Sequence, residues 1–535
     1  MLSNMQSIDS AGKISLALVL LVVSVLVKYV STGRKSSLSL PLPPGPPGLP
    51  LIGNIHKNPK HNAWEMHSKW SDLYGDVICL HGLGQHLVIL NSLEAAKDLL
   101  DKKSAIYSNR PTMTMFDLSG VNEFLVVMSY TSTFKHRRRL IQQAFGTEAA
   151  VRQYFSHIEI DIKNFLKRLL ITPHDYSQCL NQVSSDVVLH VTYGRKIISE
   201  SAWLLESLVT ALSLFVEVLD PTAFLVNFIP IMVHIPSWFP GTKFKKVALE
   251  LRARNLEIIN RLYYGVRENM ANGTISEHSF TSSLIENNED EISAKYAAGM
   301  IFGAGFGTSS DTMHAFFKAM LLHPEVQARA QAEIDAVIGN DRLPNYDDRA
   351  CLPYVQALML EVFRWHVVVP LGLRRFVLRV KRRLITDIGI SHRAMEDDIY
   401  NGMRIPKGAI IMPNTIKFSM DPKLYKEPQM FEPLRFMPGS GFSAQVPEQD
   451  PRDYVFGHGR RMCAGKAFAD ASMFMEMAAV LACFNVTPYV DEEGKEHLPK
   501  PFDREPGFLS SPTPFKCQVK PRNAKTEALL HALEV

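Results

Sequence analysis

Residues 456–465 read Phe-Gly-His-Gly-Arg-Arg-Met-Cys-Ala-Gly, and the rest of the chain is best read outward from this stretch. Gly457, Gly459 and Gly465 surround one cysteine and let the backbone turn tightly and come close to a flat partner. Arg460 and Arg461 make the neighbourhood positive, which favours the thiolate of Cys463 over its thiol. The residues that follow, KAFADASMFMEMAAVLACF, are helical in composition and predict a helix over 464–484. Cys463 therefore stands at a helix amino terminus, where amide donors stabilise an anionic sulfur further. A lone cysteine is most often a small buried hydrophobe.

Upstream, Glu361-Val-Phe-Arg364 lies in LPYVQALMLEVFRWH, a predicted helix over 352–366. Its i, i+3 spacing puts carboxylate and guanidinium on one face. Taken alone, such a pair is ordinarily a solvated surface feature. Arg435 follows within Phe431-Glu-Pro-Leu-Arg-Phe436. Ala304-Gly-Phe-Gly-Thr308-Ser309 falls in a predicted helix over 291–322, where glycines cost stability and imply that something needs room against the backbone. Phe134-Lys-His-Arg-Arg138 opens a predicted helix over 134–145. A basic run such as Lys135 to Arg139 is by itself usually a solvated face.

The string at 456–465 matches FGxGxRxCxG and resembles the haem-ligand loop of the cytochromes P450; the other motifs stand in that family's order. The resemblance implies a mostly α fold with small peripheral β-sheets and one large haem domain. It makes Cys463 the axial ligand to the haem iron, a thiolate that favours O–O cleavage. By the same resemblance Arg461, Arg138 and Arg393 approach the haem propionates. Phe456 packs near the sulfur, while Gly457, Gly459 and Gly465 shape the loop. Glu361, Arg364 and Arg435 become a buried structural network, which survives only if its charges satisfy one another. Leu434 departs from the family's usual glutamate, and Phe134 from its tryptophan. Thr308 matches the hydroxyl that serves oxygen binding and proton delivery, with Ser309 beside it. The family's acidic residue before that threonine is replaced by Gly307, and Asp311 lies one turn later. Phe116, Ala304, Val368, Val369, Leu371 and Leu509 fall at the family's substrate-contact segments.

The implied reaction is insertion of one oxygen atom from O2 into a lipophilic small molecule. NADPH-derived electrons would come from a separate NADPH-cytochrome P450 reductase, because no flavin domain is present. The wording resembles fungal enzymes of secondary metabolism, so a terpenoid or polyketide is the expected substrate class. Two rivals stand beside this reading. One is an oxygen-independent haem-thiolate isomerase or dehydratase. The other is a haem-binding but catalytically disabled product.

Composition agrees with a large folded body. Of 535 residues 46% are hydrophobic and 21% charged, and 58 basic against 54 acidic residues leave +4, too little to argue for nucleic acid. Six cysteines without a CxxC pair suit reduced thiols facing the cytosol. Ile14 to Val27 is an uncharged apolar run which, continued past Lys28 to Val30, reaches the lower limit for a membrane span. Arg34 and Lys35 after it favour a retained single-pass anchor over a cleaved signal peptide, with the carboxyl-terminal side in the cytosol and the endoplasmic reticulum as the membrane. The expected organisation is an anchor and basic stop over 1–40, a proline-rich hinge over 41–54, the haem domain over 55–520 and a tail over 521–535. PLPPGPPGLPLIGN (41–54) is read as a stiff spacer between membrane and body.

Further helices are predicted near 92–103, 150–170, 202–219, 244–271 and 324–338, and strands near 77–90, 402–413 and 515–520. The apolar stretch 212–241 reads either as a buried helix pair or as a loop that dips into a bilayer. Residues 374–391, seven of them Arg, Lys or Asp, interrupt the family pattern between Leu373 and His392. A retained intron is favoured there over a surface loop.

Overall fold

The computed structural model describes residues 40–49, 53–58, 63–82, 84–195, 201–220, 223–274, 277–370, 390–442, 445–505 and 509–534. The expected span from Ile14 to Val30, together with Leu371 and residues 374–389, lies outside them. Among the described residues no helix is long and apolar enough to cross a membrane.

The longer helices are α1 (Ala63–Tyr74), α2 (Ser132–Phe145), α3 (Phe155–Ile171), α4 (Tyr176–Tyr193), α5 (Ser201–Leu219), α6 (Lys243–Ala271), α7 (Glu291–Leu322), α8 (Pro324–Val337), α9 (Pro353–Trp365) and α10 (Lys466–Cys483). The main strands are β1 (Val77–Gly82), β2 (Gln85–Leu90), β3 (His392–Arg393), β4 (Ile410–Pro413), β5 (Phe484–Val490) and β6 (Cys517–Pro521). One sheet runs β1-β2-β4-β3, with β2 and β4 parallel and the outer pairs antiparallel, in the register Val88 to Ile411 and His392 to Ile411. A second sheet pairs β5 with β6.

The long central element is α7, with 32 residues, or about 48 Å. Ala294, Ala297, Phe302, Phe306, Met313 and Phe316 are buried around its circumference, the pattern of a helix enclosed by others. Asp290 caps its start by accepting from the Ser293 N–H at 2.8 Å. Its end falls at His323, because Pro324 cannot donate into the ladder and instead opens α8. α10 is buried almost all round as well, so the loop bearing Cys463 leads straight into the main core.

Several expectations change here. The proline-rich segment, read as a stiff spacer between membrane and body, packs on the body in its described residues, 41–49 and 53–54. The Pro44 carbonyl accepts from the Cys79 N–H at 2.9 Å, and Asn54 bonds both Pro46 and His81, so the segment lies along the β1 edge. Gly45 must be glycine there, since a Cβ would lie 2.4 Å from the Cys79 carbonyl oxygen. The expected tail contains a helix at Ala524–Ala532, capped by Asn523, and places Leu530 fully inside the main core. α4 was not expected at all. Val183 to Tyr193 are buried on every side, so no polar face marks the period. Past α5, residues 225–241 do not form a buried helix pair. They make short single turns that leave Leu225, Phe228, Ile231 and Trp238 in the open.

Candidate haem site and substrate cavity

The loop at 456–465 folds back on itself through the Cys463 N–H, which donates to the Phe456 carbonyl at 2.7 Å. Gly457 holds φ +77, a conformation that suits glycine. Gly459 holds φ +51 with its backbone pressed on Leu100, where a Cβ would lie 2.1 Å from the carbonyl oxygen. Asp101 secures the same turn through the Gly459 N–H and the His458 ring. Gly459 therefore fits the loop to the preceding segment and does not line the cavity, whereas Gly457 and Gly465 do.

Cys463 opens onto a cavity of about 480 Å³ lined by helices and loops. Burial pushes its thiol up, opposed by the Gly465 N–H and the cations of Arg138 and Lys466. The positive neighbourhood alone thus does not make a thiolate; a metal ion on the sulfur would. Phe456 lines the cavity beside the sulfur and is fixed by an edge contact to Phe363, with ring centroids 5.8 Å apart.

Three guanidinium groups line the same cavity: Arg110, Arg138 and Arg461. Arg461 donates to the carbonyls of Ser108, Leu125 and Met128 at 2.6, 3.2 and 2.7 Å and stacks over Phe134 at 3.8 Å. Arg138, on α2, donates to the Met462 carbonyl at 2.6 Å, tying that helix to the cysteine loop. Arg110 donates to the carbonyls of Val126, Ile390 and Ser391. None of the three has a carboxylate partner among the described residues. Burial lowers all three, Arg461 to about 9, and Arg110 and Arg461 are further lowered by their cationic neighbours. Buried cations without counter-charge are costly. A flat, largely apolar group carrying two carboxylates and a metal facing Cys463 would relieve that cost, so the residues fit haem.

The expected assignments divide accordingly. Arg393 points away from the cavity toward Thr112 and the turn at Gly408; its neighbour His392 lines the cavity, with Nδ1 bonded to the Tyr107 carbonyl at 2.8 Å. Alternation along β3 exchanges the two side chains. Phe116 is buried in the core beside Arg110 and lines a small adjoining recess instead of the cavity, because its short helix turns it toward Leu219. Ala304, Thr308, Ser309, Val368, Val369 and Leu509 all line the cavity, while Leu371 lies outside the described residues. Pro370 and Ile390, which flank the interrupting segment, both line it too.

The Thr308 hydroxyl donates to the Ala304 carbonyl at 3.0 Å, one turn back on α7. At Gly307 a Cβ would meet Leu509 Cδ1 at 2.6 Å, so Leu509 fills the space a side chain would take. Asp311, one turn on, faces the same segment through Ser511. Beneath the cavity Glu361 binds Arg364 twice at 2.7 Å and Arg435 at 3.1–3.2 Å, with all three wholly buried. Glu448 completes the charge balance by accepting from Arg435 at 2.6 Å.

Sequence reasoning missed Arg110, Glu448 and the apolar wall given by Phe124, Leu208, Leu212, Phe215 and Ile259. No motif spacing marks them; tertiary packing brings them in from separate helices and loops.

Comparison with known proteins agrees with this geometry. The family model "Cytochrome P450" matches residues 43–519. The chain is 41% identical over 494 residues to Cytochrome P450 monooxygenase claR of Ampulloclitocybe clavipes, covering 91% of this chain and 88% of that one. It is 40% identical over 521 residues to Cytochrome P450 monooxygenase 208 of Postia placenta, covering 97% of each. It is 34% identical over 504 residues to Cytochrome P450 monooxygenase ppsD of Aspergillus oryzae, covering 92% and 91%. With a cysteine loop, a charged cradle and a family match over most of its length, the chain belongs to the cytochrome P450 family and is a haem-dependent monooxygenase.

Proposed function

We propose that this enzyme hydroxylates or otherwise oxygenates a lipophilic fungal secondary metabolite, a terpenoid or polyketide, at an endoplasmic reticulum membrane. The cavity carries this reading: its wall is apolar along Phe124, Leu212, Phe215, Ile259, Val369 and Leu509, and Cys463 opens onto it. Cys463, Arg110, Arg138 and Arg461 would hold haem, which would supply the redox chemistry for dioxygen activation. The side chains named above bind and orient the substrate and exclude water from it. Thr308 holds a hydroxyl at the cavity wall whose oxygen is free to accept a further proton donor. Gly307 offers no acid, so protons reach Thr308 by another route. Electrons come from a separate NADPH-dependent reductase.

Membrane association is supported by the apolar run at 14–30 and by the exposed side chains of Leu225, Phe228, Ile231 and Trp238 (81% exposed). The experiment is reconstitution with a reductase, NADPH and extracts of candidate metabolites, with product detected by mass increase. Oxygenated product that needs NADPH and O2 is the expected result. Turnover that persists without NADPH would instead establish the isomerase or dehydratase reading, which the absence of an acid at 307 favours.

A further inference from the structure

Along the contact between α6 and α7 the facing residues follow a regular step. Arg267 reaches Glu291 at 3.3 Å, Lys295 lies 5.3 Å over the Tyr263 ring, and Ile259 would stand 2.6 Å from a Cβ on Gly299. Each pair is four residues back on α6 and four residues on along α7, about one turn per step in antiparallel helices. The next step sets Asn255 across from Gly303. There the helices have parted: a Cβ on Gly303 would meet nothing within 4 Å, and Asn255 and Gly303 both line the cavity onto which Cys463 opens. The rest of the cavity wall contributed by α5 and α6 is apolar, namely Leu208, Ala211, Leu212, Phe215, Ile258 and Ile259. The Asn255 amide has no hydrogen-bond partner among the described residues. Thr308 and Thr312, by contrast, donate to carbonyls one turn back on α7, and Arg138 and Arg461 donate to loop carbonyls. An amide set in an apolar wall costs free energy until something pairs with it.

We propose that Asn255 is the substrate-anchoring residue: its amide hydrogen-bonds an oxygen that the lipophilic substrate already carries, lodged in the gap at Gly303. The inference rests on the oxygenation of a lipophilic molecule proposed above and narrows the class of that molecule. An amide both donates and accepts, so a substrate hydroxyl is met by Oδ1 and a substrate carbonyl by Nδ2. A bare hydrocarbon leaves the amide unpaired. The substrate is therefore an alcohol or a ketone, and a reaction that introduces or preserves an oxygen function precedes this one. Gly303 and Thr308 are five residues apart on α7, about 7.5 Å along its axis. That distance sets the reach from the anchored oxygen to the carbon presented beside Thr308.

The test is calorimetric titration of the haem-loaded full chain with probe pairs that differ by one oxygen: menthol and menthane, borneol and bornane, naphthol and naphthalene. For each pair the alcohol-to-hydrocarbon affinity ratio is compared between the parent and Asn255→Leu. The expected ratio is about 10-fold lower in Asn255→Leu, because one hydrogen bond is lost while the apolar contacts stay. A reduced-CO spectrum like that of the parent verifies folding. Should Asn255→Leu not fold, Gly303→Ala decides in its place. Its new methyl meets no protein atom within 4 Å and favours the helix, yet it fills the gap and should lower the same ratio. An unchanged ratio in the folded variant would overturn the anchor, leaving the amide solvated by cavity water and the lipophilic reading intact. If neither member of any pair bound the parent, the lipophilic reading itself would fall, and the anchor with it.

Discussion

Cys463 shows how little a single side chain settles by itself. Its sulfur opens onto the cavity, yet burial pushes the thiol up, and only a metal makes the anion the stable form. Cys463→His is therefore expected to keep haem on its arginines while losing the long-wavelength Soret band of the reduced CO complex, read in a difference spectrum. Asp311 carries a separate, pH-dependent expectation. Burial pushes its carboxyl up from 3.8 to about 7, against the Ser511 hydroxyl and with help from Glu505. The unfolded chain therefore releases this proton first as pH rises. The residue's share of stability is full below about pH 4 and is lost as pH climbs through about 7. Asp311→Asn should gain roughly 1–3 kcal/mol over the parent at pH 8 and little at pH 4.5, as measured by urea midpoints. A constant difference between those pH values would refute the buried-acid account.

At the scale of elements, the Glu361 network joins α9 to the segments at 426–436 and 448. Glu361 is its hub, accepting from two guanidiniums and from the Glu432 N–H at 2.8 Å. The i, i+3 spacing of Glu361 and Arg364 was legible in the sequence, and Arg435 was reached by resemblance. Glu448 was not, because it lies thirteen residues past Arg435 in an irregular loop with no period to mark it. Glu361→Gln leaves two buried cations short of a counter-charge and should cost about 3–5 kcal/mol. Urea unfolding and the haem-to-protein ratio measure that loss together. If Glu361→Gln were as stable as the parent, the triad would be incidental.

Across the whole molecule, the open apolar side chains between 225 and 239 stand clear of the core. If they meet lipid, a chain lacking residues 1–40 should still float with vesicles, and Phe228→Ser with Trp238→Ser should release it. Equal flotation of the truncated chain and this double variant would remove the second contact. The same scale explains the corrections. Arg393 and His392 are adjacent, and the resemblance favoured the arginine, but the pairing of β3 on β4 turns His392 toward the cavity.

The sequence by itself determined the glycine-rich loop around Cys463, the helix that follows it, the ion pair on α9 and the helix bearing Thr308. Each rests on contacts a few residues apart, where spacing and composition carry the physics. Only the tertiary structure decided that Arg110 joins Arg138 and Arg461 and that Leu509 fills the space beside Gly307. Those groups lie tens to hundreds of residues apart, and what unites them is the need to satisfy buried charge and fill space, which acts only once the chain is packed.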